Sequence, residues 1–188
     1  SGEKTDGFAY IKEALKKRVG VIIAEKPAPA FLKGAVPYFH VTCAREAWAW
    51  LSAESFNNPQ DSLSIFGITG TNGKTSTSWI THQLFINEGS PSTLIGTLGT
   101  WHLNEHSPLN QTTPNPDQLF SILYDALRKG CKNIVMEVSS HALSQNRLGP
   151  LRFDAVAITE FSQDHLDFHS TMSAYWQAKS LIFTKYLK

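Results

Sequence analysis

Apolar residues near the start of the chain recur at intervals of three and four, which is the period of an amphipathic helix. The apolar face of this predicted helix, residues 8–19, is formed by Phe8, Ile11, Leu15 and Val19. Two short apolar runs, 21–24 and 36–41, predict strands, and Thr42 can cap a following helix over residues 44–52. The pattern predicts a small α/β unit with no evident chemistry.

A second pattern begins after a turn-rich stretch at 57–61, where apolar strands alternate with helices. The predicted strands are residues 63–68, 92–97, 133–138 and 154–159. Helices are predicted over 78–88 and from Asn115, which can cap a helix with Pro116 at its first position, to about Lys129. Regular alternation predicts parallel pairing through right-handed crossovers, and continuous apolar strands are typical of a sheet covered on both faces.

Together these patterns predict an α/β fold in two parts. Residues 59–188 are expected to form an open, mostly parallel sheet, and residues 1–58 to form part of a smaller α/β unit before it. A length of 188 residues is enough for one full domain or one and a half. Because residue 1 is serine rather than methionine, we expect the chain to be a piece of a longer protein.

The composition argues against several classes of function. The chain is 41% hydrophobic and 18% charged with a net charge of +1, which gives no support for a nucleic-acid-binding or membrane-surface role. No apolar run approaches the ~20 residues of a membrane-spanning helix. Cys43 and Cys131 lack a metal-binding spacing and are expected to be small buried residues in a reducing compartment. We therefore expect a cytoplasmic protein without nucleic-acid or membrane partners. We also expect a monomer, although the sequence itself does not show the oligomeric state.

Polar residues collect after the carboxyl end of each predicted strand of the sheet, where open α/β sheets bind ligands. The stretches are GTNGKTS after the first strand, QTTPNP after the second, Glu137 with SSHALSQNR at the third, and TEFSQDHLDFH after the fourth. The opposite connections, GSP and KGCKN, are plain turns. This asymmetry favours a binding edge over a purely structural sheet.

Residues 70–76 form a variant of the phosphate-binding loop. They are Gly70, Thr71, Asn72, Gly73, Lys74, Thr75 and Ser76. Glycines let backbone N–H groups point into such a loop, the lysine supplies a cation to the β- and γ-phosphates, and the threonine hydroxyl can bind magnesium. The strict pattern has glycine where this chain has Ile68. The strand before the loop and the helix after it are the required context; the alternative is a glycine-rich turn with a surface lysine.

Other side chains on this edge are weaker candidates. Glu137 can hold a hard cation such as magnesium, or it is a solvated strand end. A cluster in one loop indicates either metal-linked function or a solvated turn, and its members are Asp164, His165, Asp167 and His169. Thr112 and Thr113 are hydroxyl donors at the sheet edge, and from the residues alone they are ordinary turn residues.

A lysine interrupts the last apolar stripe of the chain. Helical spacing places Lys179 on one face with Met172, Tyr175, Trp176, Ile182, Phe183 and Tyr186. One interpretation is that the stem follows the apolar surface while the ammonium reaches water. The other is that the ammonium is partly buried, which lowers its pKa and leaves more neutral amine.

Several of these stretches together resemble the Mur ligases, and in particular the UDP-N-acetylmuramyl-tripeptide synthetases of that family. GTNGKTS, TTPNP, MEVSSHALSQNR, DHLDFH and YWQAKS occur in matching order and spacing, and TDGFAYIKEALKKRVGVIIAEK resembles the latter part of the family's N-terminal domain. The resemblance implies that residues 1–58 belong to the substrate-binding N-terminal domain and residues 59–188 to the ATP-binding central domain. It also implies that the amino-acid-binding C-terminal domain is absent.

The resemblance implies ATP-dependent addition of a third amino acid, meso-diaminopimelate or L-lysine, to UDP-MurNAc-L-Ala-D-Glu through an acyl phosphate, in peptidoglycan precursor synthesis. Residues 70–76 would bind ATP, and the implied catalytic residues are Lys74, His165 and Lys179. The implied magnesium positions are Thr75, Glu137, His165 and Lys179, with Lys179 carbamylated. The implied substrate-binding residues are Thr112, Thr113, Ser139, Gln145 and Arg147. Without the amino-acid-binding domain, the isolated chain is expected to be inactive.

The sequence departs from the family at two positions and leaves two other classes of protein open. Glu160 and Gln163 stand where the family usually has asparagine and arginine, which puts any role of these positions in doubt. A phosphotransferase or switch NTPase would more naturally show an aspartate at the end of the third strand or a DxxG motif, and IVMEVSSH shows neither. A non-catalytic nucleotide-binding module is the third possibility.

Overall fold

The computed structural model of the protein describes residues 6–32, 34–103 and 105–188. Residues 1–5, with which the predicted N-terminal unit begins, lie outside the described residues. Among the helices in the described ranges, none has both the length and the apolar character needed to cross a membrane.

The N-terminal part has the predicted α/β character. Its elements are a 3-10 turn at Gly7–Tyr10, helix α1 at Ile11–Lys16, strand β1 at Ile22–Ala24, a 3-10 turn at Ala30–Leu32, strand β2 at Tyr38–His40 and helix α2 at Ala44–Ser55. β1 and β2 pair in parallel. The first helix is shorter than the predicted 8–19, because it opens as a 3-10 turn capped by Asp6 and ends before Arg18, whose φ is +56°.

The cap of α2 lies one residue later than predicted. Cys43, not Thr42, has the extended backbone of an N-cap residue, and its sulfur accepts a hydrogen bond from the Glu46 amide at 3.5 Å. The prediction that both cysteines are buried is confirmed for Cys131 and wrong for Cys43, which is only partly buried.

The rest of the chain alternates between strands and helices. After a 3-10 turn at Pro59–Ser62, the elements are β3 (Ser64–Thr69), α3 (Lys74–Asn87), β4 (Ser92–Gly96), β5 (Gly99–His102), β6 (Glu105–Ser107), α4 (Pro116–Arg128), β7 (Asn133–Glu137), α5 (Ser140–Ser144), β8 (Ala155–Ile158), α6 (Leu166–His169) and α7 (Met172–Thr184). Asn115 is the N-cap residue of α4 as predicted, although its side chain makes no capping hydrogen bond.

The central sheet has six strands in the order β6-β5-β4-β7-β3-β8. The four predicted strands, β3, β4, β7 and β8, pair in parallel, which confirms the open, mostly parallel sheet. The connection after β4 was not predicted to contain a strand. It contains the antiparallel strands β5 and β6, because a two-residue turn between Gly96 and Gly99 folds the chain back beside β4.

Helices cover both faces of the sheet. On one face, α4 buries its apolar side, and the core there also takes in α2, through Ala53, and the end of α7. On the other face, α3 covers Ile68, Leu94 and Val135 with the aromatic rings of Trp79 and Phe85. The edge strand β8 departs from the prediction of continuous burial, since its residues alternate between exposed and partly buried.

The stripe on α7 is narrower than its sequence suggested. Tyr175, Ile182 and Tyr186 are fully buried, whereas Trp176 and Phe183 are exposed by 45% and 37%. The buried positions follow a spacing of three or four and lie against the sheet and α5. Lys179 falls within this buried set, so the fold brings its ammonium to the carboxyl ends of the parallel strands.

Candidate functional site

The predicted phosphate loop connects β3 to the N-terminus of α3. Gly70 has a φ of +145°, and a Cβ on it would lie 2.1 Å from the Thr159 hydroxyl oxygen. Gly73 has a φ of +83° and is the N-cap residue of α3, and Lys74 is the first residue of that helix. The two glycines therefore allow a compact loop against the end of β8, which places a helix N-terminus and a lysine together.

Lys74 folds back over this loop. Its ammonium donates hydrogen bonds to the carbonyl oxygens of Gly70 and Thr71, both at 2.8 Å. Partial burial lowers the pKa of Lys74, and the carboxylates of Glu137 and Asp164 oppose that shift. The cation thus lies at the centre of the loop, where an anionic ligand can take the place of the two carbonyl contacts.

Glu137, at the end of β7, is 1% exposed, so the interpretation of a solvated strand end is wrong. Its Oε2 accepts hydrogen bonds from the hydroxyls of Thr75, at 2.9 Å, and Thr97, at 3.1 Å. Its Oε1 accepts one from the Thr97 amide at 2.9 Å. Gly96 makes room for this arrangement, because a Cβ there would lie 2.3 Å from Oε1. A buried carboxylate with this many donors is held in one orientation.

The Thr75 hydroxyl and the Glu137 carboxylate are hard oxygen donors in contact at the phosphate loop, and magnesium prefers such donors. The residues present therefore fit a hard divalent cation such as magnesium, which Thr75 and Glu137 would hold beside the phosphate loop. Within the described ranges there is no group of three or more His, Cys, Asp or Glu side chains that could hold a metal unaided.

Lys179 is 2% exposed, so the interpretation in which its ammonium reaches water is wrong. Its Nζ donates to the Gly70 carbonyl oxygen at 2.8 Å and lies 4.6 Å from the centre of the Tyr175 ring. Burial, followed by repulsion from the Lys74 cation, lowers the pKa of Lys179 to about 8, while Asp164 has the opposite influence. Two lysines therefore meet on one carbonyl group of the phosphate loop.

The predicted substrate-binding residues form a connected wall beside Glu137. Thr113 is 1% exposed, and its hydroxyl donates to the Glu137 carbonyl oxygen and accepts from the Ser139 amide, both at 2.9 Å. Arg147 donates to the carbonyl oxygen of Thr113 at 3.1 Å and, through Nε, to the Gln145 side chain at 2.8 Å. Thr113 therefore fixes the backbone of the wall, while Arg147 brings a positive charge to it.

The predicted loop cluster divides into exposed and buried members. The rings of His165 and His141 lie 5.0 Å apart, and the His165 side chain, 44% exposed, pairs with Asp164 at 3.4 Å. His169 ends α6 and is 8% exposed, with its Nε2 2.9 Å from the Ser140 hydroxyl. The four residues therefore do not form one group of metal ligands within the described ranges, and the two interpretations of this loop, metal-linked function or a solvated turn, stay predictions.

The residues that the family resemblance implies for phosphate, metal and substrate all line one open cavity of about 460 Å³ at the carboxyl edge of the sheet. Asp164, Asp167 and His169 of the loop cluster do not line it. The cavity also includes residues that were not singled out, namely Thr97, Gln111, Ser140 and His141. Three of these lie within stretches already noted as polar, but Thr97 lies in the turn between β4 and β5, and that hairpin was not predicted.

A parallel α/β sheet with a glycine-rich loop, a lysine and a hydroxyl at a helix N-terminus is the arrangement of phosphate-loop nucleotide-binding proteins. Residues 68–188 match the family model described as the Mur ligase middle domain. The chain belongs to the Mur ligase family, which confirms the resemblance found in the sequence.

Comparison with individual proteins agrees with membership of the Mur ligase family. The UDP-N-acetylmuramoyl-L-alanyl-D-glutamate–2,6-diaminopimelate ligase of Aquifex aeolicus (strain VF5) is 38% identical over 186 residues, which is 98% of this chain and 38% of the relative. The enzyme of the same name from Bacillus licheniformis is 39% identical over 184 residues, 98% of this chain and 37% of the relative. The chain thus spans well under half the length of these relatives.

Solved structures agree with the fold. A structure of a UDP-N-acetylmuramoyl-L-alanyl-D-glutamate–2,6-diaminopimelate ligase superposes with a TM-score of 0.73 at 28% identity, covering 87% of this chain and 32% of that chain. A MurF ligase from Thermotoga maritima in complex with ADP superposes with a TM-score of 0.58 at 25% identity, covering 97% of this chain and 38% of that chain.

Proposed function

We propose that these residues form part of an ATP-dependent amide ligase that adds the third amino acid to UDP-MurNAc-L-Ala-D-Glu, a precursor of peptidoglycan. The observation that carries the proposal is the single cavity, which joins a lysine-bearing phosphate loop to a polar wall with an arginine. The names of the relatives favour 2,6-diaminopimelate over L-lysine as the added amino acid. Its partners would be small molecules, and we propose a cytoplasmic monomer.

The proposed reaction has two steps. An oxygen of the dipeptide's terminal carboxylate attacks the γ-phosphorus of ATP, which gives an acyl phosphate and ADP. The amine of the incoming amino acid then attacks the acyl carbon, and phosphate leaves as the amide forms. Both steps bring anions together and redistribute negative charge, so cations and fixed N–H donors are what the protein must supply. In this proposal, residues 70–76 bind the phosphates and Lys74 stabilises the transferred group.

The proposed metal site is built around the carboxylate of Glu137. Thr75, Glu137 and His165 would hold magnesium, which when bound offsets negative charge on the phosphate oxygens. The wall residues Thr112, Ser139, Gln145 and Arg147 would contact the UDP-linked substrate, with Thr113 holding the wall in place.

The proposal is tested by product analysis on the complete protein that carries these residues. With ATP, magnesium, UDP-MurNAc-L-Ala-D-Glu and 2,6-diaminopimelate, we expect equal amounts of ADP, phosphate and UDP-MurNAc-tripeptide by liquid chromatography and mass spectrometry, and no tripeptide with L-lysine. The 188-residue chain alone is expected to bind Mg·ADP without forming tripeptide. ADP without tripeptide would instead indicate an NTPase, and nucleotide binding without turnover a non-catalytic module.

We also propose that Lys179 is carbamylated in the working enzyme. The neutral amine attacks the carbon of carbon dioxide, an N–C bond forms, and one proton is released to solvent. Burial favours this step, because with a pKa of about 8 the side chain is roughly one-tenth neutral at pH 7 and about half neutral at pH 8. The product is an anion beside Lys74, so a repulsive pair of cations becomes an attractive pair.

This modification predicts a pH-dependent signal. At a fixed partial pressure of ¹³C-labelled carbon dioxide, we expect a carbamate carbon resonance that grows as the pH rises through about 8, because deprotonation supplies the reactive amine. K179M should abolish the resonance, whereas K132M, at an exposed lysine in the turn before β7, should retain it. A resonance that persists in K179M, or none in the unaltered protein, would contradict the proposal.

A further inference from the structure

Thr97 has a position that the proposed function does not use. It follows Gly96, the last residue of β4, and β4 and β5 are joined by the two-residue turn Thr97–Leu98. Because its amide lies beyond the ladder pairing of Gly96 with Gly99, it can donate outside the sheet, and it does so to Glu137 Oε1 at 2.9 Å. The hairpin thus supplies a donor aimed at the buried carboxylate.

The Thr97 side chain extends the same contact towards the substrate wall. Its hydroxyl donates to Glu137 Oε2 at 3.1 Å, because an ionised carboxylate can only accept. The Thr97 oxygen is also 3.0 Å from the Thr112 hydroxyl, which must then act as the donor. A directional chain of hydrogen bonds therefore runs from Thr112 through Thr97 to Glu137.

The same carboxylate also contacts the phosphate loop. The Thr75 hydroxyl also donates to Oε2, at 2.9 Å, so hydroxyls from two separate loops meet on one oxygen. The lack of a side chain at Gly96 leaves room for the carboxylate, since a Cβ there would lie 2.3 Å from Oε1 and 2.8 Å from Cδ of Glu137. The end of β4 is shaped to receive the carboxylate of Glu137.

We propose that Thr97 is a positioning residue that holds the Glu137 carboxylate in one orientation and links it to Thr112. The inference rests on the proposed function, because it takes Glu137 as a magnesium ligand and Thr112 as a substrate contact. Groups that orient a metal ligand typically change metal affinity by about 10- to 100-fold when they are lost. Thr97 would thereby connect occupancy of the substrate wall to the geometry of the metal site.

The test measures Mg²⁺ affinity by calorimetry on the 188-residue chain saturated with a non-hydrolysable ATP analogue. T97V removes the hydroxyl, retains the shape, and should weaken Mg²⁺ binding about 10- to 100-fold. T97S restores a hydroxyl and should recover most of that affinity. T100V is the matched control, because the buried Thr100 hydroxyl has no hydrogen-bond partner among the described residues, and its affinity should equal that of the unaltered chain.

A double-variant cycle tests the link to the substrate wall. T112V should weaken Mg²⁺ binding less than T97V, and the T97V/T112V pair should bind like T97V alone, because both variants interrupt one chain of hydrogen bonds. Thr97 is exposed in a turn, so folding should be preserved; T97A, which is smaller, repeats the measurement if T97V unfolds.

The outcomes separate this inference from the proposed function. If the unaltered chain binds the analogue with Mg²⁺ and T97V matches it, the positioning role is overturned while the phosphate loop stands. If the unaltered chain binds neither the analogue nor Mg²⁺, the proposed function falls and this inference falls with it. Additive effects of T97V and T112V would overturn the link to the substrate wall.

Discussion

K74A is expected to weaken ATP binding by about 100- to 10,000-fold. The Lys74 ammonium donates two charge-assisted hydrogen bonds inside the phosphate loop, and ATP phosphates would take over these donors. Each such bond is worth roughly 1.5–3 kcal/mol, and every ~1.4 kcal/mol changes affinity tenfold. Calorimetric titration of the 188-residue chain with Mg·ATP measures the loss directly.

The loss in K74A should not come from unfolding. Removing a partly buried ammonium also removes its desolvation cost, the main reason for its lowered pKa, so the melting temperature should stay the same or rise slightly. K132A is the matched control, because it removes an exposed lysine from the turn before β7, at the opposite edge of the sheet. Unchanged ATP affinity in K74A would remove Lys74 from the phosphate site.

The main features of the sheet were predictable because they depend on local pattern. Four apolar runs separated by helices and turns were enough to define parallel strands, and all four are present. Ligands bind at the carboxyl ends of the strands in such sheets, and this rule alone predicted that residues 70–76, Glu137 and Arg147 lie at one edge. No knowledge of their contacts was needed. A single cavity contains all of them.

What could not be predicted depends on contacts between distant residues. Position 96 needs a glycine because the carboxylate of Glu137, 41 positions later, occupies the space of a side chain there. No local signal in the sequence connects these two residues. Periodicity identified Lys179 as unusual but could not identify its acceptor, the carbonyl group of Gly70 on another element. The β5–β6 hairpin was missed because its strands have four and three residues and little apolar alternation.

G70A is expected to disrupt both folding and nucleotide binding. The φ of +145° at Gly70 is a conformation that alanine rarely adopts, and the added Cβ would lie 2.1 Å from the Thr159 hydroxyl and 3.1 Å from the Glu160 backbone. Backbone strain and overpacking each cost roughly 1–3 kcal/mol, which in a chain of this size lowers the melting temperature by about 5–15 °C. Thermal unfolding followed by circular dichroism measures this shift.

The matched control for G70A is G89A. Gly89 also has a positive φ, +72°, but a Cβ there would have no neighbour within 4 Å. G89A is therefore destabilised by backbone strain alone. Because the carbonyl of Gly70 accepts from both Lys74 and Lys179, G70A should also lose ATP binding, whereas G89A should retain it. The double variant G70A/T159A removes the closest steric contact and should recover part of the stability. If G70A had the same melting temperature as G89A and bound ATP normally, the loop would tolerate a side chain at its tightest point. The positions of Lys74 and Lys179 could then not depend on the present shape of the loop.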